Sequence, residues 1–300
     1  MNFLSIKDIT KKEVLDLFRR AEKFRNDQLT AYKINTLKMG GLLFFTPSTR
    51  TRVGFEAASW KLGYKTILLD ETKPSVSEGW SESIADTIRT MNAYVDFYFI
   101  RHPNSAIFDQ ITPYTKYPVI NCGNGNDEHP TQALIDAYAI WSKFGRLDNL
   151  TITIIGDLKY SRSVHSLILL LAKFSGNTVN EIAPDELVLE RKYKEAFEKK
   201  NVLMRLEKTD LGKEQVLYSA GFPPVNPSGT FSQKIIRKYI ITEINAKTLS
   251  EDCIILNPLP RIDEIAVAVD NLPQAHYFIQ NEHGLYVRMA IVEAFCTNKA

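Results

Sequence analysis

A polar segment in the first quarter of the sequence has the residue types needed to bind a phosphate group. Residues 47–52 read Pro-Ser-Thr-Arg-Thr-Arg and follow the apolar run 41–45, which is a predicted buried strand. They open a helical pattern that continues to Leu62 and stops at Gly63. The N–H groups of a helix start, two kinds of hydroxyl and a guanidinium can converge on one anion. The alternative is an ordinary cap by Ser48 with the arginines in surface ion pairs. The complete run favours the anion site.

Two further motifs place hydrogen-bond donors directly after predicted strands. Arg101-His102-Pro103 follows the strand pattern 94–100, and His129-Pro130-Thr131-Gln132 comes after a second pattern at 118–121. Donors at the ends of neighbouring strands could stabilise the oxygen of a polarised carbonyl group. Taken alone, either histidine is more often structural. Their shared position after strands makes both motifs candidates for one site.

The elements that would position these motifs alternate between strand and helix. Beyond the segments already named, strands are predicted at 66–70, 150–155 and 253–256, and helices after Thr10, from Ser83, from His129 and at 164–174. This alternation predicts an α/β protein whose parallel sheets are covered on both faces. Ligands of such sheets bind at the carboxyl ends of the strands, where Arg50, Arg101 and His129 all fall.

The bulk composition excludes several classes of protein. With 300 residues and 44% hydrophobic content, the chain is long enough for two domains. Its 37 Lys and Arg residues nearly balance 35 Asp and Glu residues, so we expect no nucleic-acid partner. Cys122, Cys253 and Cys296 lack Cys-x-x-Cys spacing, which predicts neither a disulfide framework nor a zinc site. They are expected to be reduced thiols in the cytoplasm.

No segment of the sequence is typical of a membrane or secreted protein. The N-terminus becomes polar at Lys7, too early for the apolar core of a signal peptide. The most apolar run, 167–172, meets Lys173 well before the roughly 20 residues that span a bilayer. We therefore expect neither secretion nor a membrane partner.

The motifs and their order along the chain resemble those of aspartate carbamoyltransferase catalytic chains over nearly the whole sequence. The matching segments are Phe45-x-Pro47-Ser48-Thr49-Arg50-Thr51-Arg52, Arg101-His102-Pro103, His129-Pro130-Thr131-Gln132, Gly156-Asp157-Leu158-Lys159-Tyr160, Arg162 and Pro258-Leu259-Pro260-Arg261. The resemblance implies two doubly wound parallel-sheet domains, the aspartate/ornithine carbamoyltransferase fold. A carbamoyl-phosphate-binding domain would span 1–133, completed by a C-terminal helix at 284–300, and an amino-acid (aspartate) binding domain would span 134–283.

The same resemblance implies a role for each matching residue. Carbamoyl phosphate would be bound by Ser48, Thr49, Arg50, Thr51, Arg101, His129, Gln132, Pro258 and Leu259. Among these, Arg50, Thr51, Arg101, His129 and Gln132 would be catalytic. Thr51, Arg101 and His129 would polarise the carbamoyl oxygen, whereas Gln132 and the backbone carbonyls of Pro258 and Leu259 would contact the amide nitrogen. Arg162 would bind a carboxylate of the acceptor. Arg261 is expected to be structural.

The implied reaction is carbamoyl transfer from carbamoyl phosphate to the α-amine of aspartate, which yields N-carbamoyl-aspartate and phosphate in pyrimidine biosynthesis. The α-amine would attack the carbamoyl carbon, and fixed donors would stabilise the tetrahedral oxyanion. The resemblance implies no metal and no organic cofactor. It further implies a cytoplasmic homotrimer with active sites shared between neighbours, and it leaves association with a regulatory chain open.

Four positions depart from the family pattern, and all concern the acceptor or the neighbouring subunit. Trp80 replaces a lysine that a neighbouring subunit of the family trimer inserts into the active site. Gly221 and Pro223 replace an arginine and a glutamine that hold aspartate. Thr46 replaces a glutamate that bridges to Arg162 and to another arginine when the domains close. Losing a charged partner of a bound carboxylate typically costs about 1.5–3 kcal/mol.

These departures leave three interpretations open. The chain could be an aspartate carbamoyltransferase whose substitutions are compensated by other groups, for which Lys213, Lys234 and Arg237 are candidates. It could instead transfer the carbamoyl group to a different amine. It could also be a catalytically weak or inactive paralogue that binds carbamoyl phosphate or serves assembly. A dinucleotide-dependent enzyme is disfavoured, because the strand at 150–155 is not followed by a Gly-x-Gly-x-x-Gly fingerprint.

Overall fold

The computed structural model describes residues 2–26, 37–70, 82–207, 211–222 and 233–296. The chain forms two compact units. One comprises Met1–Thr131 together with His283–Ala300, and the other comprises Gln132–Glu282. We describe each unit by itself.

The described part of the first unit contains a parallel sheet in the order β2-β1-β3-β4. Its strands are β1 (Met39–Phe44), β2 (Lys65–Asp70), β3 (Phe97–His102) and β4 (Val119–Asn124). The chain adds β2 on one side of β1 and then crosses to place β3 on the other side. The strand order therefore reverses between β1 and β3, which is where open α/β sheets bind ligands.

The described part of the second unit contains a parallel sheet in the order β7-β6-β5-β8-β9. Its strands are β5 (Thr151–Gly156), β6 (Thr178–Ile182), β7 (Val202–Arg205), β8 (Val216–Gly221) and β9 (Ile254–Leu256). Here the order reverses between β5 and β8. Both sheets confirm the predicted α/β class with parallel strands.

Helices connect the strands and cover apolar sheet faces. Those in the described ranges are α1 (Lys11–Arg25), α2 (Thr49–Lys61), α3 (Ile84–Met91), α4 (Ile107–Ile111), α5 (Pro130–Phe144), α6 (Arg162–Leu171), α7 (Arg191–Phe197), α8 (Gln233–Ile236), α9 (Glu243–Ala246) and α10 (Tyr277–Cys296). Short 3₁₀ helices lie at Ile6–Asp8, Thr112–Tyr114, Asp185–Leu187, Arg237–Tyr239 and Val267–Asn271. As predicted, Thr10 and Glu13 form a capping box at the start of α1, which buries Val14, Leu17 and Phe18.

Each unit has its own apolar core. In the first unit, Leu43, Ile88, Tyr98, Ile100 and Val119 pack in one buried cluster between the sheet and its helices. The second unit packs a separate cluster around β5, β8 and β9, which includes Ile155, Leu217, Ile241, Ile255 and Tyr277. These cores hold the strand ends in place.

Three of the predicted elements have clearly different bounds in the structure. The strand predicted at 94–100 is β3 at Phe97–His102, because the amides of Tyr94 and Val95 bond back to Met91 and close α3. The helix predicted at 164–174 is α6, which starts earlier because Ser161 caps it and ends where residues 172–174 form turns. The C-terminal helix, expected from 284, already begins at Tyr277. Its pattern is obscured because polar residues such as Gln280 and His283 are buried in it.

No helix in the described ranges is long and apolar enough to cross a membrane.

Candidate active site

The start of α2 presents donors at the carboxyl end of β1. Ser48 occupies the N-cap position, but its side chain makes no capping hydrogen bond. The first helical bond at this end runs from the amide of Arg52 to the carbonyl of Ser48, at 3.1 Å. The preceding amides therefore lack partners within the helix, as at every helix start. These N–H groups and the Ser48 hydroxyl are suited to binding an anion.

Two guanidinium groups add positive charge near this helix start. Partial burial lowers the pKa of Arg50, and no carboxylate among the described residues pairs with it. Arg288 of α10 is buried against Gly54, and it lies 5.7 Å from the centre of the Phe55 ring. The pKa of Arg288 is lowered to about 10, chiefly by burial, and the charge of Arg50 acts in the same direction. Because neither guanidinium has a carboxylate partner among the described residues of the first unit, the two positive charges favour an anionic ligand.

Arg52, two residues along the same motif, has a different environment. Its guanidinium lies 3.6 Å from the carboxylate of Glu56, one turn further along α2. Within the described ranges, the motif therefore contains one arginine with a carboxylate partner, Arg52, and one without, Arg50. The alternative of surface ion pairs applies to Arg52 among these residues.

Arg101 lies at the end of β3, on the other side of the point where the strand order reverses. It is in register with Phe44 of β1, and the amide of Phe45 donates to its carbonyl at 2.9 Å. Its Nε donates to the Thr46 hydroxyl at 3.1 Å, and its Nη1 lies 3.4 Å from the carbonyl oxygen of Cys122. Thr46 thus helps to fix the Arg101 guanidinium beside the start of α2.

His129 reaches the same edge of the sheet from the loop between β4 and α5. The ring is buried, with Nε2 3.5 Å from the Thr51 hydroxyl and Nδ1 3.3 Å from the Thr131 hydroxyl. The loop is anchored through Glu128, whose carboxylate accepts hydrogen bonds from the Ser5 hydroxyl and the Ile6 amide. Thr51, Arg101 and His129 therefore meet at the carboxyl edge of one sheet.

In the second unit, β5 and β8 approach closely where the strand order reverses. Gly156 pairs with Gly221, and both have positive φ, +121° and +71°. A β-carbon on Gly156 would lie 2.8 Å from the backbone oxygen of Gly221, so this position needs glycine. A β-carbon on Gly221 would lie 2.9 Å from a carboxylate oxygen of Glu264. A side chain at position 221 would therefore be strained and would point toward a buried acid.

Arg162 begins α6 after the turn that follows β5. The Asp157 carboxylate holds this turn by accepting from the amides of Lys159 and Tyr160, at 3.0 and 2.9 Å. Burial lowers the pKa of Arg162 and raises that of Asp157, whose amide donors oppose the shift. Arg162 therefore begins α6 shortly after the carboxyl end of β5.

The loop after β9 holds an unusual backbone conformation. Leu259 has φ +51°, and its amide donates to the side chain of Asn257 at 2.6 Å. Arg261 forms two hydrogen bonds to the carboxylate of Asp270 and one to the Tyr277 hydroxyl. Arg261 is thus an internal anchor of the second unit, as expected. A strained, well-anchored loop is typical of a ligand contact.

Comparison with known proteins identifies the family. Residues 1–142 match the family model described as "Aspartate/ornithine carbamoyltransferase, carbamoyl-P binding domain", and residues 148–295 match the one described as "Aspartate/ornithine carbamoyltransferase, Asp/Orn binding domain". The chain belongs to the aspartate/ornithine carbamoyltransferase family. This confirms the resemblance seen in the sequence.

Relatives and solved structures agree with this assignment. The chain is 38% identical to the aspartate carbamoyltransferase catalytic subunit of Methanococcus aeolicus, covering 97% of this chain and 95% of that one. The solved catalytic subunit of M. jannaschii aspartate transcarbamoylase matches with a TM-score of 0.87 and 36% identity, covering 98% and 97%. Trypanosoma cruzi aspartate transcarbamoylase, solved with carbamoyl aspartate and phosphate, matches with a TM-score of 0.89 and 30% identity, covering 97% and 94%.

This carbamoyltransferase-family chain distributes the expected site residues over both units. The first unit gathers one set at a single sheet edge, namely Ser48, Thr49, Arg50, Thr51, Arg101 and His129. The second unit carries Gln132, Arg162, Pro258 and Leu259. Trp80, Pro223 and the side chain of Lys234 lie outside the described residues. Lys213 is exposed and precedes the amino end of β8, which is the opposite end from Gly221. It cannot compensate there.

Sequence reasoning missed several polar residues that support the expected ones. Asp136, Tyr218, Asn257, Glu264 and Gln280 are all buried in the second unit. Asp136 alone left a local signal, since it follows Gln132 by four residues and so shares a face of α5 with it. Within the described ranges, no group of three or more His, Cys, Asp or Glu side chains is arranged to hold a metal ion.

Proposed function

We propose that this chain transfers the carbamoyl group of carbamoyl phosphate to the α-amine of aspartate, a step of pyrimidine biosynthesis. The observation that carries this proposal is the edge of the first sheet. There the start of α2 and the available charge of Arg50 lie beside Arg101 and His129. The relatives bear the name of this activity, and the match extends over nearly the whole length of both chains.

The arrangement supports a division of labour around the donor. The α2 amides, Ser48, Thr49 and Arg50 would bind the phosphate, while Thr51, Arg101 and His129 would donate to the carbamoyl oxygen. As the amine nitrogen bonds to the carbamoyl carbon, charge develops on that oxygen, and fixed donors stabilise it. The carbon–oxygen bond to phosphate then breaks, and the departing phosphate can accept the proton lost by the amine.

The two units would have different roles. We propose that residues 1–133 with the helix at 284–300 bind carbamoyl phosphate, whereas 134–283 bind the amino acid through Arg162. Gly156 and Gly221 mark the reversal of strand order in the second sheet, which is the usual ligand position of such a sheet. Gln132, Pro258 and Leu259 would contact the carbamoyl amide nitrogen.

One observation favours a second candidate, which is carbamoyl transfer to an amine with a less acidic side chain. The carboxylate of Glu264 is buried and lies where the side chain of residue 221 would begin. It accepts from the amide of Ile262 at 2.8 Å and from Asn257 Nδ2 at 3.1 Å, and no cation among the described residues pairs with it. A second carboxylate brought close to this group would be repelled.

The donor half of the proposal can be tested by calorimetry without turnover. Phosphate and the bisubstrate analogue N-phosphonacetyl-aspartate would be titrated into the protein and into two variants. Arg50→Met is expected to weaken phosphate binding by about tenfold or more, since a charge-assisted bond is worth roughly 1.5–3 kcal/mol. Arg52→Met is the matched control, because Arg52 already pairs with Glu56. Equal losses in both variants would contradict the assignment.

The acceptor half requires a product assay with a panel of amino acids. Carbamoylated aspartate as the main product would support the first candidate. A faster reaction with a neutral or basic amino acid would select the second. Phosphonate binding without product from any amine would refute both and favour a binding or assembly role.

We also propose that the chain works as a cytoplasmic homotrimer whose active sites are shared between neighbours. The first unit carries an apolar surface at its sheet edge, where Trp60, Ile67 and Leu68 are 63%, 38% and 40% exposed. All three cysteines of the chain are buried free thiols, in keeping with a reducing compartment. Analytical ultracentrifugation at micromolar concentration should give a trimer, and a monomer would rule out shared sites.

A further inference from the structure

Asp136 is the centre of a buried hydrogen-bond network in the second unit. Its Oδ1 accepts from Gln132 Nε2 at 2.7 Å and from Gln280 Nε2 at 2.5 Å, while its Oδ2 accepts from the Tyr218 hydroxyl at 2.9 Å. All four side chains are buried. Three donors thus surround one carboxylate, and they come from α5, β8 and α10.

These donors fix the orientation of the Gln132 amide. A primary amide has a donor side and an acceptor side, and rotation by half a turn exchanges them. Because the NH₂ group of Gln132 is committed to Asp136, its Oε1 must point away from that carboxylate. Gln132 therefore presents an acceptor, which is what a ligand NH₂ group requires.

The network continues from Asp136 to the loop after β9. Gln280 uses its Oε1 to accept from the Asn257 amide at 3.0 Å. The Asn257 side chain in turn accepts from the Leu259 amide at 2.6 Å, which holds the positive φ of Leu259. Asn257 Nδ2 also donates to the carbonyl of Ser219 at 3.1 Å. Asp136 is thus connected both to Gln132 and to the backbone of Pro258 and Leu259.

We propose that Asp136 is a positioning residue, which gives one ligand subsite hydrogen-bond acceptors and no donors. It orients Gln132 directly, and it orients the backbone of Pro258 and Leu259 through Gln280 and Asn257. The subsite would select a ligand NH₂ group over a methyl group of similar size. This inference rests on the proposed function, in which those three residues contact the carbamoyl amide nitrogen. Asp136 itself does not need to touch the transferred atoms.

Among the residues that the structure describes, no cation pairs with Asp136. Burial raises the pKa of Asp136 to about 7, and the hydrogen bonds from Gln132, Tyr218 and Gln280 act in the opposite direction. The pKa of Tyr218 is raised well above its ordinary value, first by burial and then by the Asp136 charge, so it remains a hydroxyl donor. Above this pKa the ionised carboxylate accepts from all three donors.

Two stable phosphonates provide the test. Phosphonoacetamide carries an amide NH₂ group, whereas 2-oxopropylphosphonate has a methyl group in its place. Calorimetry with the full chain should show at least tenfold tighter binding of phosphonoacetamide, since buried acceptors without a donor are costly. If the unsubstituted protein does not distinguish the two ligands, the proposed function fails at this subsite, whatever the role of Asp136.

Asp136→Leu is expected to reduce this discrimination to less than threefold while leaving inorganic phosphate binding within about twofold. Asp136→Asn keeps an oxygen facing both glutamine amides, and its discrimination should stay within threefold of the unsubstituted protein. Glu181→Gln is a matched control, since Glu181 is a buried carboxylate of the same unit that pairs with Lys194. The Glu181→Gln variant should discriminate between the two phosphonates as well as the unsubstituted protein does.

Full discrimination in a folded Asp136→Leu variant would overturn the proposal, as would equal loss in the asparagine variant or in the Glu181 control. If Asp136→Leu does not fold, Gln280→Met removes the link from Asp136 to Asn257 and keeps the hydrogen bond from Gln132 to Asp136. Discrimination in that variant should fall severalfold, and an unchanged ratio would overturn the proposal equally.

Discussion

Gly156→Ala tests whether β5 and β8 approach each other as closely as the structure shows. The new methyl group would lie 2.8 and 3.0 Å from the backbone oxygen and nitrogen of Gly221. Backbone atoms in paired strands cannot move aside as the end of a side chain can. The residue would also have to adopt φ +121°, which an L-residue rarely does.

The expected loss of stability follows from these two effects. A residue in a sparsely populated backbone region costs about 1–3 kcal/mol. Overpacking against fixed neighbours costs roughly 1–3 kcal/mol more. We therefore expect the free energy of unfolding to fall by about 2–6 kcal/mol. At roughly 2–4 °C per kcal/mol for a domain of this size, the melting temperature should fall by about 4–24 °C.

The chain offers a matched control in Gly145, which follows α5. It has φ +69°, and a β-carbon there would have no neighbour within 4 Å. Gly145→Ala should therefore cost only the backbone strain, about 1–2 kcal/mol. Thermal unfolding of both variants would be followed by calorimetry, together with phosphate binding, which we expect to be unchanged in each. A melting temperature no lower in Gly156→Ala than in Gly145→Ala would refute the reasoning.

Two other perturbations test contacts of the site. Thr46→Val removes the acceptor of Arg101 Nε and should weaken phosphonoacetamide binding about three- to tenfold, while Thr46→Ser should not; equal affinity of both variants in calorimetry would contradict this role. Burial raises the pKa of Asp136 to about 7, from about 3.9 in an unfolded chain. Protonation of Asp136 therefore favours the folded state. The contribution of Asp136 to the free energy of unfolding falls as the pH rises between these two values. Urea denaturation would give the difference in unfolding free energy between the unsubstituted protein and Asp136→Asn. This difference should fall by up to about 1.4 kcal/mol per pH unit from pH 5 to 7 and become constant above pH 8. A difference that does not change with pH would exclude this titration.

The donor half of the candidate site was predictable because its signals are local. Residues 47–52 follow an apolar run and open a helix, so their hydroxyls, amides and charges are brought together by short-range geometry alone. Arg101 and His129 were also placed by local pattern, since each follows a strand. Parallel strands carry their carboxyl ends to one edge, and this made the shared location of these residues predictable.

The supporting contacts were not predictable, because each joins residues that are distant in the sequence. Thr46 accepts from Arg101, and Gln280 donates to Asp136 from 144 positions away. The start of α10 was missed for a related reason. Buried polar residues such as Gln280 look like surface residues in a hydrophobic pattern, and only their partners explain their burial.

The sequence by itself determined the α/β class, the order of the motifs and the residue types at the donor side, since helix starts and strand ends are set by neighbouring residues. Tertiary structure decided which strands lie side by side, and so which motifs meet. It also decided that Gly221 occupies a tight, left-handed position against Glu264, and that Asp136 orients Gln132. These features depend on close packing between separate elements, which no local pattern encodes.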